Sequence, residues 1–216
     1  MKDVYIFGSS SLAYKIYDYI RTDSQYRFLG FTLNGEYCNS KKIYGHPLVP
    51  FEEISDKGGW FGVINCIGYS KAFSVRQKVD NIIKEKSVPL LSYIHESADI
   101  AYDVELGESC LVMKNSVIML SVKMGDGNII SGASIGHDAV AGDYNWFGYS
   151  SVCSGYVKIK GCCFIGVNST IKNNVTLAEY TTVGAASYVS HDTVKYEVLS
   201  PAKTVSLKFN KPYYIK

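Results

Sequence analysis

The sequence is short of several things, and each shortage excludes something. Proline accounts for five of its 216 residues, and none of the five lies between Ala98 and Ser190. No run of five like charges occurs, and 22 Lys plus Arg against 20 Asp plus Glu leave a net charge of +2. A grip on nucleic acid or anionic lipid through a charged field is therefore not expected. No apolar run approaches the roughly 18 to 20 residues of a membrane span, and the opening MKDVYIFGSS has no apolar stretch leading to a small-residue cleavage site. The expectation is a cytoplasmic protein without a membrane or nucleic-acid partner. Six cysteines occur without a CxxC pair, which speaks against a zinc site or a disulfide framework and for reduced thiols with no metal. G-x-G-x-x-G is missing, so a dinucleotide-dependent oxidoreductase is not indicated, and no covalent acyl-enzyme is expected.

What is present divides into two parts. At 47% hydrophobic and 19% charged the chain has a globular composition. In the first ninety residues, Asp3 to Phe7 reads as a strand ending at Gly8, followed by a helical stripe at Leu12, Ala13, Ile16, Tyr17 and Ile20. Phe28 to Leu33, Phe61 to Ile67 and Pro89 to Ile94 read as further strands, and Val75 to Lys84 as another helix. Strands alternating with helices predict a small α/β domain with a parallel sheet over residues 1–95. Ligands of such sheets sit beyond the carboxyl ends of the strands, where Gly8, Ser9 and Ser10 fall. Those serines can offer amides and hydroxyls to a phosphate or sugar, or one of them can simply cap the helix with its side-chain oxygen.

From residue 98 the pattern changes to a step of six. Ile135, Ala141, Phe147, Cys153, Ile159, Ile165, Ile171, Leu177, Val183 and Val189 are all apolar, and small or β-branched residues stand two places before each. Ile100, Leu106, Val112, Ile118 and Met124 keep the same step, with one residue missing between Met124 and Ile135. A helix of period 3.6 cannot hold both columns on one face, whereas a left-handed parallel β-helix of hexapeptides does so by construction. Cys110, Cys153 and Cys163 then point inward as small core residues, and Gly148, Gly166 and Gly184 form a column at corners, where exposed amides are expected.

Of the four histidines, His137 falls at a corner, outside the coil, with Asp138 beside it and Gly155 one coil later on the same edge. A neutral imidazole there can remove a proton, Asp138 can fix its tautomer, and the Gly155 amide can donate to a developing oxyanion. That is equipment for direct acyl transfer. His46, His95 and His191 have no comparable partner and read as loop or cap residues. The outward aromatics Tyr144, Trp146, Tyr149 and Tyr156 suit a subunit contact or a sugar platform.

The run Ile135-Gly136-His137-Asp138-Ala139-Val140-Ala141-Gly142-Asp143-Tyr144, with Cys163-Phe164-Ile165-Gly166 and Val183-Gly184-Ala185, resembles the hexapeptide-repeat sugar acyltransferases of the bacillosamine, perosamine and sialic acid type. Ile6-Phe7-Gly8-Ser9-Ser10 and Leu91-Ser92-Tyr93-Ile94-His95 extend the resemblance over nearly the whole chain. The resemblance implies a Rossmann-like nucleotide-sugar-binding domain at 1–95 and a β-helix acyltransferase domain at 96–216. It also implies a homotrimer, with acetyl-CoA in the groove between neighbouring β-helices, serving surface polysaccharide or glycan biosynthesis. By the same resemblance His137 is the general base and Asp138 its partner. Gly155, Gly166, Gly184, Ala185 and Lys203 meet the coenzyme, and Gly8, Ser9, Ser10 and Asn34 meet the nucleotide sugar.

Three positions depart from the family pattern. Its Gly-His-Gly after the first strand is here Ser11-Leu12-Ala13, its acidic pair after the second is Leu33-Asn34, and a histidine nine places after the base is Trp146. The leading expectation is N-acetylation of a nucleotide-linked amino sugar from acetyl-CoA. Sugar O-acetylation with the same base and a noncatalytic trimeric β-helix are the alternatives.

Overall fold

The computed structural model describes residues 1–57, 60–71 and 73–203. Its first part is a mixed five-stranded sheet. Strand β1 (Lys2–Phe7) is followed by helix α1 (Ser11–Ile20), whose Leu12, Ala13, Ile16 and Ile20 recur at helical spacing and are buried. Strand β2 (Tyr26–Leu33) leads to a hairpin of β3 (Lys42–Ile43) and β4 (His46–Pro50). The hairpin turns on Tyr44 and Gly45, both at positive φ (51° and 80°), the requirement of a tight two-residue loop. Helix α2 (Phe51–Lys57), strand β5 (Gly62–Asn65) and helix α3 (Ser74–Glu85) complete it. The order is β3-β4-β2-β1-β5, with every pair parallel except the hairpin. Because β2 and β5 lie on opposite sides of β1, the winding reverses at β1, and the carboxyl ends of β1 and β5 border the crevice where ligands of such sheets sit.

The segment from Pro89 to Ile94 does not add a strand to this sheet, as its sequence suggested. Leu90 makes one bridge to Val63, after which Tyr93–Ile94 pairs with Leu111–Val112 and begins the coils. Three stacked parallel sheets follow, and they fit a left-handed β-helix. The first face has seven strands, from Tyr93–Ile94 to Val198–Leu199; the second has six, from Asp99–Ile100 to Tyr188–Val189; the third has five, from Glu105–Leu106 to Thr176–Leu177. The six-residue column points inward as expected: Ile118, Ile135, Phe147, Cys153, Ile165, Ile171 and Val183 pack in one apolar core. Cys110, Cys153 and Cys163 are fully buried, and burial pushes their thiols up to about 11, 12 and 11.

The missing residue is accounted for at one corner. Between strands Ile129–Ile130 and Ser134–Ile135 the chain turns through Ser131-Gly132-Ala133 alone, with Gly132 at φ 64° taking the left-handed position. Pairing absorbs the loss, since Ile135 stacks on Ile118 while Ile130 stacks on Val112.

The glycine column behaves differently from its reading in the sequence. Gly148, Gly166 and Gly184 do not expose their amides: each N–H donates to the next coil, to Ile165, Val183 and Leu199. A Cβ on Gly166 would come within 2.6 Å of Ala185 N and Val183 O, so the stacking of coils itself demands glycine there.

The small sheet sits on the first face of the coils. Leu111, Met113 and Ile129 from that face belong to the same buried cluster as Ile6, Ile16 and Ile83, and Tyr144 and Trp146 pack against it. These two aromatics are thus interior contacts between the two parts rather than free surface.

Candidate active site at a corner of the coils

His137 occupies the corner between the second and third faces, after Ser134–Ile135 and before Val140–Ala141. Asp138 follows at φ 56°, a left-handed conformation that Asp tolerates better than most residues and that recurs at this corner in Ser121, Tyr156 and Asn174. The turn brings His137 Nδ1 to 2.8 Å from Asp138 Oδ2. A carboxylate only accepts, so this bond assigns the proton to Nδ1 and leaves Nε2 as the nitrogen with a free lone pair. Both side chains are nearly half exposed (47% and 41%), so the pair is open to a substrate and is weak as a stabilising contact.

One coil along, Gly155 lies against the imidazole. A Cβ placed on it would approach His137 Cε1 and Nε2 to 2.7 Å, so any side chain there would force the ring or the coil to shift. Ser154 and Tyr156 donate their N–H groups to neighbouring coils, to Ile171 and His137, whereas the Gly155 N–H takes no part in that ladder. The same is true of Ala185, the first residue of its own corner. Lys203 is exposed at the end of the described chain.

Gly8, Ser9 and Ser10 lie at the carboxyl end of β1, and Asn34 at that of the neighbouring β2. Gly8 adopts φ 140°, and its N–H donates to Thr32. Ser10 is the N-cap of α1, yet its side chain makes no capping bond, so its hydroxyl is not spent on the helix as the capping reading would have it. Asn34 Oδ1 is buried with no donor among the described residues. Of the remaining histidines, His95 accepts from Ser97 N, His46 opens strand β4 and packs among Tyr17, Phe28 and Phe31 instead of lying in a loop as expected, and His191 Nε2 stands 4.0 Å from Glu197 Oε1. The described residues contain no group of three metal-ligating side chains and no helix long and apolar enough to cross a membrane.

No protein-family model matches the chain. Among solved structures, PerB from Caulobacter crescentus in complex with CoA and GDP-perosamine is similar at 25% identity and TM-score 0.78, over 93% of this chain and 92% of that one. A histidine-to-alanine variant of the GDP-perosamine enzyme from that organism gives TM-score 0.83 at 24% identity, over 92% and 93%. The acetyltransferase domain of PglB from Neisseria gonorrhoeae FA1090, in complex with acetyl coenzyme A, gives 0.78 at 15%, over 91% and 95%. The structural neighbours are hexapeptide-repeat sugar N-acetyltransferases.

Within this acetyltransferase fold one polar cluster was not legible in the sequence. Arg76 and Asp80 of α3 are fully buried. Arg76 Nη1 donates to Asn65 O and Ile67 O, and Nη2 to Ser109 of the coils. Asp80 accepts from Asn65 Nδ2, from Ser109 Oγ and, at 2.9 Å, from Tyr144 Oη. The cluster therefore ties the carboxyl end of β5 to two corners of the coils. The one hint is spacing: Arg76, Val79, Asp80 and Ile83 fall on a single helical face. Charged residues on such a face ordinarily signal solvent, not a buried joint.

Proposed function

We propose that the protein is an acetyl-CoA-dependent N-acetyltransferase acting on an amino sugar carried by a nucleoside diphosphate. The observation that carries this reading is the His137–Asp138 hydrogen bond directly over Gly155, in a chain that shares its fold with the perosamine enzyme along nearly its whole length. Acetyl-CoA supplies the activated acetyl group as a thioester. His137 Nε2 takes the proton that the amine loses as its nitrogen attacks the thioester carbonyl. Asp138 holds the resulting imidazolium, and the Gly155 N–H donates to the carbonyl oxygen as charge gathers there. His137 then returns the proton to the departing sulfur, so the histidine ends as it began.

Residues 1–95 are read as the Rossmann-like unit for the nucleotide sugar, through Gly8, Ser9, Ser10 and Asn34, and residues 96–216 as the acyltransferase unit. The orphaned Asn34 carbonyl supports this, because a buried acceptor without a donor suits a ligand that brings one. For the coenzyme, Ala185 has an N–H without an acceptor among the described residues, and Lys203 a charge for phosphate. Gly166 and Gly184, their amides already spent, contribute only close approach.

We read the assembly as a homotrimer, and the topology supports contact between copies. The small sheet covers the first face, while His137 stands on the corner opposite that face, so the two halves of one chain's site lie on different sides of its coils. A second copy brings the base of one chain to the sugar site of another. Leu120, Val140 and Val152, exposed around that corner, are the apolar surface such contact needs. A cytoplasmic role in surface glycan synthesis completes the reading.

Thiol release from acetyl-CoA, measured over a panel of UDP-, dTDP- and GDP-linked amino sugars, tests it. Turnover with one of them and its loss in His137→Gln are expected. Absence of coenzyme A binding at millimolar concentration by calorimetry would refute it.

A further inference from the structure

We propose that Tyr156 is a positioning residue for His137, its ring one coil away fixing the direction in which the imidazole faces. The inference rests on the reading of His137 as the base and concerns how that base is kept aimed. Tyr156 follows Gly155 at the same corner, with φ 62°, a conformation that a bulky side chain rarely adopts. Its N–H donates to the His137 carbonyl at 2.9 Å. Its ring meets the imidazole nearly at right angles, with centroids 5.1 Å apart and planes at 88°.

The need for such a neighbour follows from the geometry around His137. The terminal torsion of a histidine is broad, and a half-turn about it exchanges Nδ1 with Cδ2 and carries Nε2 to the other side. Asp138 restrains one nitrogen only, through a bond between two side chains that are both open to water. Gly155 supplies a floor against the imidazole but, having no side chain, cannot wall it from the side. The Tyr156 ring stands in that place. Its contact with the imidazole is made by the aromatic ring, so the hydroxyl is dispensable.

Two substitutions separate ring from hydroxyl. Tyr156→Phe keeps the ring. Tyr156→Asn removes it while keeping a residue that tolerates positive φ, and Tyr156→Gly serves the same end should the Asn variant not assemble. The readouts are the ring nitrogen and Cε1–H resonances of His137 in the full-length protein, identified by their absence in His137→Gln, together with steady-state kinetics. In Tyr156→Asn the His137 resonances are expected to move towards a tautomer mixture. Its kcat should fall about tenfold, with the KM for acetyl-CoA within about twofold of the original. Tyr156→Phe should match the unaltered protein in both. A purely structural role would lower the melting temperature without moving the His137 resonances. Unchanged resonances and kcat in Tyr156→Asn, or a Phe variant as impaired as the Asn one, overturns the proposal. Full turnover in His137→Gln would instead remove the base reading, and the resonance comparison would still report whether Tyr156 orders the ring.

Discussion

Gly155 lies so close to His137 that a methyl group on it would stand 2.7 Å from two atoms of the imidazole ring. Gly155→Ala therefore forces either the ring or the coil to shift. The ring is the softer of the two, being half exposed and held by one side-chain bond. The expected result is a fall in kcat of about 100-fold, the scale on which a displacement near 1 Å acts. The melting temperature should drop by only a few degrees, since no core volume changes. A variant that keeps full turnover would separate His137 from the reacting atoms.

Asp138→Asn tests the tautomer. Asn keeps the left-handed turn, but its amide can donate to Nδ1 and so drive the proton to Nε2, where a base needs a lone pair. Turnover should fall roughly 10- to 100-fold, with acetyl-CoA binding unchanged by calorimetry. Asp138→Ala, which leaves Nδ1 to water, should be less impaired than a variant that locks the wrong tautomer. The reverse order would show that the negative charge of Asp138 matters more than its direction.

The site and the coils were open to reading for one reason. A hexapeptide repeat fixes each residue's place relative to every other, so His137, Asp138 and Gly155 could be stacked on one edge by counting. Counting failed where a contact depends on how two parts meet. Tyr144 and Trp146 have outward positions in the repeat, and nothing local says that the first part of the chain covers them. The glycine column was placed at the right positions for the wrong reason: spacing cannot tell an exposed amide from one donated to the next coil. The β3–β4 hairpin went unread because its signal is the Tyr44-Gly45 pair, and Tyr is not a residue that announces positive φ.

The joint between the two parts should be measurable in stability. Tyr144→Phe leaves Asp80 with one donor fewer in a fully buried setting and is expected to cost about 1 to 3 kcal/mol in urea unfolding. Arg76→Met should cost more, about 3 to 5 kcal/mol, because it leaves the Asp80 carboxylate buried without the nearby cation. Equal and negligible losses would mean that the apolar contacts alone hold the sheet on the coils.

The buried thiols set an alkaline limit. Burial raises Cys66 and Cys153 from 9.0 to about 12. An unfolded chain releases those protons near 9, so between that pH and about 12 the unfolded state binds fewer protons than the folded one. Stability must then fall as pH rises through this window and be complete below it. Each such thiol contributes a slope of about 1.4 kcal/mol per pH unit. Urea unfolding of the unaltered protein and of Cys153→Ala, at pH 8, 9.5 and 10.5, isolates one of them. The Ala variant, which removes a small inward side chain, should start lower at pH 8 and lose stability less steeply above 9. Half-buried tyrosines such as Tyr26, raised by desolvation, add to the slope in both proteins alike and cancel in the comparison. Parallel curves would mean that Cys153 is already accessible to hydroxide in the folded coils.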